Sequence, residues 1–205
     1  VFRLLGSDVY RVLDIECVFG ESSRQASQRQ PLLPGLRACL DSLADCADLA
    51  ALFDAVLRGL ERHCGIRHAM LLMHDAARAR LYTVATHGYA ESGVGSEIGI
   101  GEGIIGVAAR ERTPIRIGYA AQEYLYGRAM REGFEKAAAG DALETAIPFP
   151  GLADSGSQLA VPIVRGERLH GVRFRESPEQ RRFTYEDEDA LVVLASQLAL
   201  FIELL

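Results

Sequence analysis

The chain lacks a long apolar run and any cluster of basic residues. No hydrophobic stretch approaches the roughly 18 to 20 residues needed to cross a bilayer, and no secretory signal is recognisable. The net charge is −6 and the 22 basic residues are scattered along the 205-residue chain, which disfavours binding to nucleic acid or to an anionic membrane. We therefore expect a cytoplasmic protein whose partners include neither nucleic acid nor membrane.

Cysteine is also absent from most of the chain. All four cysteines lie in its first third, and none follows Cys64. Their spacings match no zinc-binding pattern and no CxxC redox pair, so no metal site is predicted. Cys39 and Cys46 fall in helical sequence, where buried and reduced thiols are the favoured interpretation and a disulfide or reactive thiol is the alternative.

The first part of the chain divides into two stretches of different composition. Residues 3–19 can form an amphipathic helix, whereas residues 20–31 are polar and without periodicity, as in a linker or mobile loop. We predict an N-terminal helix with a flexible linker over residues 1–31 and a folded domain over residues 32–205.

The remaining sequence predicts helices at both ends of a sheet. Apolar residues recur at threes and fours from Leu36; Asp48 is placed to cap a second helix and Gly65 to end it. Thr184 is placed to cap a last helix that begins at Tyr185. Between these helices we predict strands near residues 68–74, 81–87, 96–100 and 114–118 and a hairpin turning at residues 165–167. This order predicts an α+β domain: an antiparallel sheet with the terminal helices on one face.

A glycine-rich block, Gly99-Ile-Gly-Glu-Gly-Ile-Ile-Gly106, precedes a short predicted helix. Three of its glycines fit the GxGxxG spacing of dinucleotide sites, but Thr113-Pro114 stops the helix after two turns, so the match is weak. No Lys followed by Ser or Thr comes after the glycines, which excludes a P-loop.

The same block carries a family resemblance. It fits the pattern GEGxxGxAxxxxxPxxI, and it is followed by a hairpin over residues 158–177 and by Phe183-Thr-Tyr-Glu-Asp-Glu-Asp189 at the start of a helix. In this order the segments resemble a GAF domain, the small-molecule sensing module of signalling proteins, over residues 36–205. The resemblance implies a central antiparallel sheet with N- and C-terminal helices on one face and a ligand pocket under short helices and loops on the other.

The resemblance also bears on chemistry. Phe183, Asp187 and Glu188 match the second half of a motif found in cyclic-nucleotide-binding GAF domains, but Glu176-Ser177 stands where that motif has Asn-Lys. The cysteines that attach bilins, or that serve catalysis in GAF-type methionine-sulfoxide reductases, have no counterpart after Cys64. No cofactor is assigned, and the chain is expected not to be an enzyme.

Two groups of residues are candidates for ligand binding. Residues 119–157 correspond to the segment that closes over the ligand in GAF domains, and its aromatic and basic side chains could stack on a planar ligand or anchor the segment itself: Tyr119, Tyr124, Tyr126 and Arg128. Arg173 and Arg175 share one face of the last predicted strand. They hold a carboxylate or phosphate if that face lines the pocket, or are solvated if the strand lies at the sheet edge.

The resemblance predicts a sensory domain that binds an unidentified small molecule and signals to an effector domain. Leucines and a phenylalanine of the last helix follow 3-4 spacing, which suits either a dimer contact between terminal helices or packing on the domain's own sheet. A homodimer is expected. The alternatives are a ligand-free dimerisation module and, third, a small enzyme on the same scaffold.

Overall fold

The computed structural model describes residues 32–119 and 149–205. Within them the chain forms a mixed α+β domain with four helices and six strands, numbered here in chain order. The helices are α1 (Leu32–Asp41), α2 (Leu49–Cys64), α3 (Gly103–Glu111) and α4 (Tyr185–Leu204). The strands are β1 (His68–Asp75), β2 (Arg80–His87), β3 (Glu97–Gly99), β4 (Ile115–Ile117), β5 (Ser157–Arg165) and β6 (Arg168–Ser177). The predicted N-terminal helix and linker and the segment 120–148 lie outside these residues.

The predicted antiparallel sheet is confirmed. Its strand order is β3-β2-β1-β6-β5-β4, and every neighbouring pair runs antiparallel. Strands β1 and β6 pair in the middle, although about a hundred residues separate them in sequence. Strand β6 therefore lies between β1 and β5 and has no free edge within this sheet.

The helix boundaries follow the predicted caps. The Asp48 side chain accepts a hydrogen bond from the Ala51 N–H at 2.8 Å, and Gly65 ends α2 in the left-handed conformation at φ 64°. At α4, Thr184 and Asp187 form a reciprocal capping box. These local hydrogen bonds fix where the terminal helices begin and end.

Two apolar cores lie on opposite faces of the sheet. Helices α1, α2 and α4 cover one face, hereafter the helix face, and bury Leu71, Leu159 and Val161 together with their own leucines. Helix α3 covers part of the other face, hereafter the α3 face, and buries Met70, Leu72 and Phe174. Because side chains alternate along a strand, neighbouring residues of β1 and β6 belong to different cores.

The terminal helix α4 turns its regularly spaced leucines toward its own sheet. Leu191, Leu194 and Leu198 are buried in the helix-face core, so the 3-4 spacing reflects packing within the domain. The apolar side chains that α4 exposes are different ones, among them Val193 at 48% exposure. Within the described residues, none of the helices is both long enough and apolar enough to cross a membrane.

Candidate functional site

The glycine block forms a tight loop that sets α3 against the sheet. The Gly101 N–H donates to the Gly106 carbonyl at 2.7 Å, and the Glu102 N–H donates to the Gly99 carbonyl at 3.1 Å. A Cβ on Gly106 would lie 2.2 Å from the Gly99 carbonyl oxygen, so only glycine allows α3 to pack this closely against the loop at Gly99. The Glu102 side chain accepts from the Gly99 N–H at 2.9 Å. Because the chain itself accepts from the amides of Gly99, Gly101 and Glu102, these three are not free to hold a phosphate.

A row of polar side chains crosses the α3 face at one end of the sheet. Cross-strand pairing places His68 of β1 opposite Glu176 of β6, and Glu176 opposite Gln158 of β5. Tyr89, just after β2, lies beside the row, with its ring centroid 5.7 Å from that of His68. We call these four residues the polar row; they are the strongest candidate site among the described residues.

Glu176 is the centre of the polar row. Its side chain is 3% exposed, and Oε1 accepts a hydrogen bond from the Leu152 N–H at 2.9 Å. Burial raises the pKa of this carboxyl, while the hydrogen bonds from Leu152 and from neighbouring side chains oppose the rise. This buried acceptor thus anchors the loop of residues 149–156 to the end of β6.

The polar row also contains a buried atom with unmet hydrogen-bonding capacity. Gln158 Oε1 is buried without a hydrogen-bond partner among the described residues. The Tyr89 hydroxyl lies close to Glu176, and burial, followed by that charge, raises its pKa. Burial lowers the pKa of His68. Since native proteins seldom leave buried polar atoms unpaired, Gln158 Oε1 marks a place where a further partner is expected.

Aromatic side chains adjoin this row. Phe174 of β6 packs against Phe149, with ring centroids 6.3 Å apart and planes inclined at 56°. Phe149 is 37% exposed, at the point where the described chain resumes. Apolar rings next to a few directed polar groups are the usual lining of a small-molecule site.

The two predicted arginines lie on the opposite face. Arg173 and Arg175 alternate with Val172 and Phe174 and point into the helix-face core, each 2% exposed. The alternative of solvated arginines at a sheet edge is therefore wrong. The arginines do not line the α3 face, and their role in binding a ligand stays a prediction. The physical reason for the wrong expectation is that β6 is central and covered on both sides. Alternation along the strand divides its residues between two faces, but it does not indicate which face carries the candidate site.

The remaining predicted ligand residues lie elsewhere or outside the described chain. Tyr119 is 51% exposed, and its ring lies 5.8 Å from the Arg181 guanidinium carbon. Tyr124, Tyr126 and Arg128 fall in the segment that the structure does not describe. The ligand-binding role of all four stays a prediction.

The acidic residues that matched half of a family motif serve α4. Asp187 accepts from the Thr184 N–H at 2.8 Å in the capping box, and Glu188 accepts from Arg116 Nε at 3.2 Å. Ser177, in the place of the motif's lysine, contributes its carbonyl to the Gly156 N–H and its hydroxyl oxygen to the Glu179 N–H. The motif positions thus hold together the loops that flank β6.

Histidines and cysteines form no metal centre in the part of the chain described. Residues 32–119 and 149–205 contain no group of three His, Cys, Asp or Glu residues placed to share a metal ion. His87 Nε2 lies 2.7 Å from Glu61 Oε2, and His170 Nε2 lies 3.1 Å from Glu203 Oε1. The three described cysteines are free, and burial raises the pKa of the Cys39 thiol to about 11.

A separate groove of about 500 Å³, lined by both apolar and polar side chains, lies between elements of the helix face. It runs between α2 and β2, with Phe53, Leu57 and Val84 in its lining. The groove contains none of the polar-row residues, so we distinguish it from the candidate site.

Sequence reasoning missed the polar row, although part of its signal was present. Gln158 begins the apolar run Leu-Ala-Val-Pro-Ile-Val, and Glu176 ends an otherwise buried strand. A polar residue at a covered strand position is an informative exception. The pairing that brings Gln158, Glu176 and His68 together depends on strand register, which no local pattern reveals.

A six-stranded antiparallel sheet with terminal helices on one face and a glycine-looped short helix on the other defines a GAF-type domain. Comparison with family models agrees: residues 46–203 match the model described as GAF domain. The chain belongs to the GAF domain family. No curated protein sequence matches it.

Solved structures show the same fold at low sequence identity. The GAF domain of a phosphoenolpyruvate-protein phosphotransferase from Coxiella burnetii is 23% identical, with a TM-score of 0.65 over 84% of this chain and 92% of that one. The GAF domain of A. aeolicus Nlh2 in an inactive state is 17% identical, with a TM-score of 0.61 over 84% and 96% of the two chains. At these identities the likeness establishes the fold and nothing further.

One similar structure corrects an expectation. Free methionine-R-sulfoxide reductase from Neisseria meningitidis, solved with its substrate, is 19% identical, with a TM-score of 0.64 over 91% of this chain and 94% of that one. Since this fold includes enzymes, the expectation that the chain is not an enzyme, which was drawn from the absence of cysteines after Cys64, is wrong. Catalysis has to be tested at the site itself.

Proposed function

We propose that this chain is a sensory GAF domain that binds a small molecule on the α3 face, at the polar row. The observation that carries the proposal is the buried set of Glu176, Tyr89 and Gln158, in which a carboxylate, a tyrosine hydroxyl and the unpaired Gln158 Oε1 meet beside aromatic rings. Glu176 and Gln158 Oε1 are acceptors. We therefore expect a ligand that presents N–H or O–H groups, such as an amine or an amide, next to a flat apolar part.

The proposed output is a change in the terminal helices of a homodimer located in the cytoplasm. Exposed apolar side chains on the terminal helices supply a surface for a second copy, namely Leu33 at 73%, Val193 at 48% and Leu204 at 78% exposure. A ligand shifts such a dimer between two states only if it binds them with different affinity. An effector domain attached to the terminal helices would receive that shift.

Native mass spectrometry tests ligand binding directly. The protein is purified from cells, and its native mass is compared with the mass of the denatured chain. A reproducible extra mass that is lost on denaturation identifies a ligand. A clean chain mass, together with no thermal stabilisation by a panel of amines, amides, amino acids and nucleotides, contradicts the proposal and favours the dimerisation module.

A matched pair of variants then places the ligand. Gln158→Leu removes the unpaired acceptor at similar volume, whereas Glu179→Gln changes an exposed carboxylate near the end of β6. We expect the retained mass or the thermal shift to disappear in Gln158→Leu and to persist in Glu179→Gln. Equal binding by both variants excludes the polar row as the site.

Dimerisation has its own measurement. Sedimentation velocity of the full chain and of Val193→Glu reports the oligomeric state, and we expect the variant to shift toward monomer because a charge enters the apolar surface. An unchanged state locates the contact elsewhere or shows that the chain is monomeric.

A further inference from the structure

Two arginines are buried side by side where the sheet meets the terminal helices. Arg173 lies opposite Leu71 and Val161, and Arg175 lies opposite Ala69 and Leu159. All four neighbours belong to the helix-face core. The arginines thus lie behind the polar row, on the other face of the sheet, and have no part in the proposed function.

Neither guanidinium group has a partner among the described residues. All six side-chain nitrogens, Nε, Nη1 and Nη2 of both residues, are buried and without a hydrogen bond. The groups that influence Arg173 most after burial are two neutral thiols, Cys39 and Cys64. The buried carboxylate of Asp187 accepts from Thr184 in the capping box, and that of Glu176 belongs to the α3 face.

Loss of a proton does not remove this charge. Burial lowers the pKa of Arg173 to about 10, so the group is still a cation at pH 7. An ion taken out of water without a counter-charge is strongly destabilising, and the penalty grows when two like charges are buried on alternate residues of one strand. A negative charge beside the two guanidinium groups would offset this cost.

We propose that Arg173 and Arg175 form an oxyanion-binding site between the sheet and the terminal helices. The planar guanidinium fork donates pairs of parallel hydrogen bonds, a geometry that matches carboxylate and phosphate groups. Two such forks on one strand face present up to ten N–H donors to a single anion. The shared chemistry is thus a carboxylate or phosphate oxygen accepting from both arginines.

Binding at this site is coupled to the position of the helices. The guanidinium nitrogens have no contact with solvent, and α1 contributes the buried Cys39 next to Arg173. An anion reaches them only if α1 and its neighbours move relative to the sheet. The anion therefore favours one arrangement of the terminal helices, independently of any ligand on the α3 face.

Two sources can supply the oxyanion. One is a small anion from solution, for which inorganic phosphate is the probe. The other is the chain itself, because the segment before α1 contains four carboxylates, Asp8, Asp14, Glu16 and Glu21. Both supply the same chemistry, and separate arms of one experiment distinguish them.

The first arm measures thermal unfolding of the full chain in sodium phosphate and in sodium chloride at equal ionic strength. If the anion comes from solution, the Tm of the wild type rises with phosphate concentration. The rise is lost in Arg173→Met and Arg175→Met. It persists in Arg168→Met, which removes an exposed arginine from the same strand. Arg173→Lys serves if the methionine variants fail to fold, since lysine keeps the charge but not the fork.

The second arm replaces the four N-terminal carboxylates with amides in the full chain. If the anion is internal, phosphate has no effect on the wild type, and the amide variant loses Tm. Addition of phosphate restores the Tm of the amide variant. In the Arg173→Met background, the amide substitutions do not lower the Tm. The proposal is overturned if neither phosphate nor amide substitution changes the Tm in a way that depends on Arg173 and Arg175.

Discussion

The Glu176 carboxylate and the Leu152 backbone N–H are joined by a 2.9 Å hydrogen bond that ties the loop of residues 149–156 to the end of β6. The bond crosses from a central strand to the chain that returns to β5. It makes Glu176 both the anchor of this loop and the only carboxylate of the polar row as described.

We predict that Glu176→Gln changes the pH dependence of stability. Burial raises the pKa of Glu176 above its ordinary value of 4.5, so the folded state binds this proton more tightly than the unfolded state. The resulting stability is present at low pH and is lost as the pH rises through the raised pKa. Glutamine keeps an acceptor for Leu152 but does not titrate.

The expected result is a Tm difference, variant minus wild type, that increases as the pH is raised from about 4 to about 8. Thermal unfolding followed by circular dichroism measures it. The control is Glu179→Gln, an exposed carboxylate on the neighbouring turn, for which we expect a profile parallel to that of the wild type. Parallel profiles for both variants would contradict the predicted burial of Glu176.

Gly106→Ala should be among the most destabilising single-methyl changes in the domain. The added Cβ would lie 2.2 Å from the Gly99 carbonyl oxygen, which is backbone and cannot swing away. We expect a loss of about 2 to 3 kcal/mol in the free energy of unfolding, measured with urea. Gly166→Asn is the control, because Gly166 has φ 57° with no atom near its missing Cβ, and asparagine tolerates that conformation. A loss of stability no greater than in the control would show that the close contact between Gly106 and Gly99 does not determine the position of α3.

Removal of the Thr184 cap tests whether this local hydrogen bond stabilises the start of α4. Thr184→Ala deletes the hydroxyl that accepts from the Asp187 N–H at 3.2 Å, and we expect a loss of about 1 kcal/mol. Thr184→Ser retains the acceptor and should stay close to the wild type. Urea unfolding of the wild type and the two variants measures the free energy of unfolding. Equal stability of Thr184→Ala and Thr184→Ser would show that the cap does not stabilise the helix.

Features determined by nearby residues could be predicted from the sequence. Asp48, Gly65 and Thr184 end or begin helices through bonds to residues within a few positions, so their patterns were informative. The hairpin at Arg165 and Arg168 was predictable for the same reason. Helix and strand boundaries accordingly differ from expectation by only a few residues.

The site depended on relationships that a local pattern does not contain. Arg173 and Phe174 are neighbours in sequence but lie on opposite faces of β6. Because both faces are covered, the polarity of these residues did not indicate which of them lies on the α3 face. The polar row needs the register that pairs Glu176 with both His68 and Gln158 across three strands. Such long-range pairing is set by the packing of the whole domain.

The last prediction concerns the link between the β5–β6 hairpin and the end of α4. Glu203 accepts from Arg165 Nη1 through one oxygen and lies 3.1 Å from His170 Nε2 through the other. Burial lowers the pKa of His170, Arg168 and Arg165 act in the same direction, and Glu203 opposes them. Because the folded state disfavours the charged imidazole, the domain loses stability as the pH falls below about 6.5.

Glu203→Gln removes a carboxylate that favours the charged form, so we expect the pKa of His170 to fall further. Titration of the imidazole Cε1–H signal by NMR measures this directly, with Glu186→Gln at the exposed far end of α4 as the control. We also expect Glu203→Gln to lose more stability than the control when the pH is lowered from about 7 to about 5. An unchanged His170 titration would show that Glu203 does not hold the end of α4 against the β5–β6 hairpin. Without that contact, a movement of the hairpin would not be passed through α4 to an attached effector.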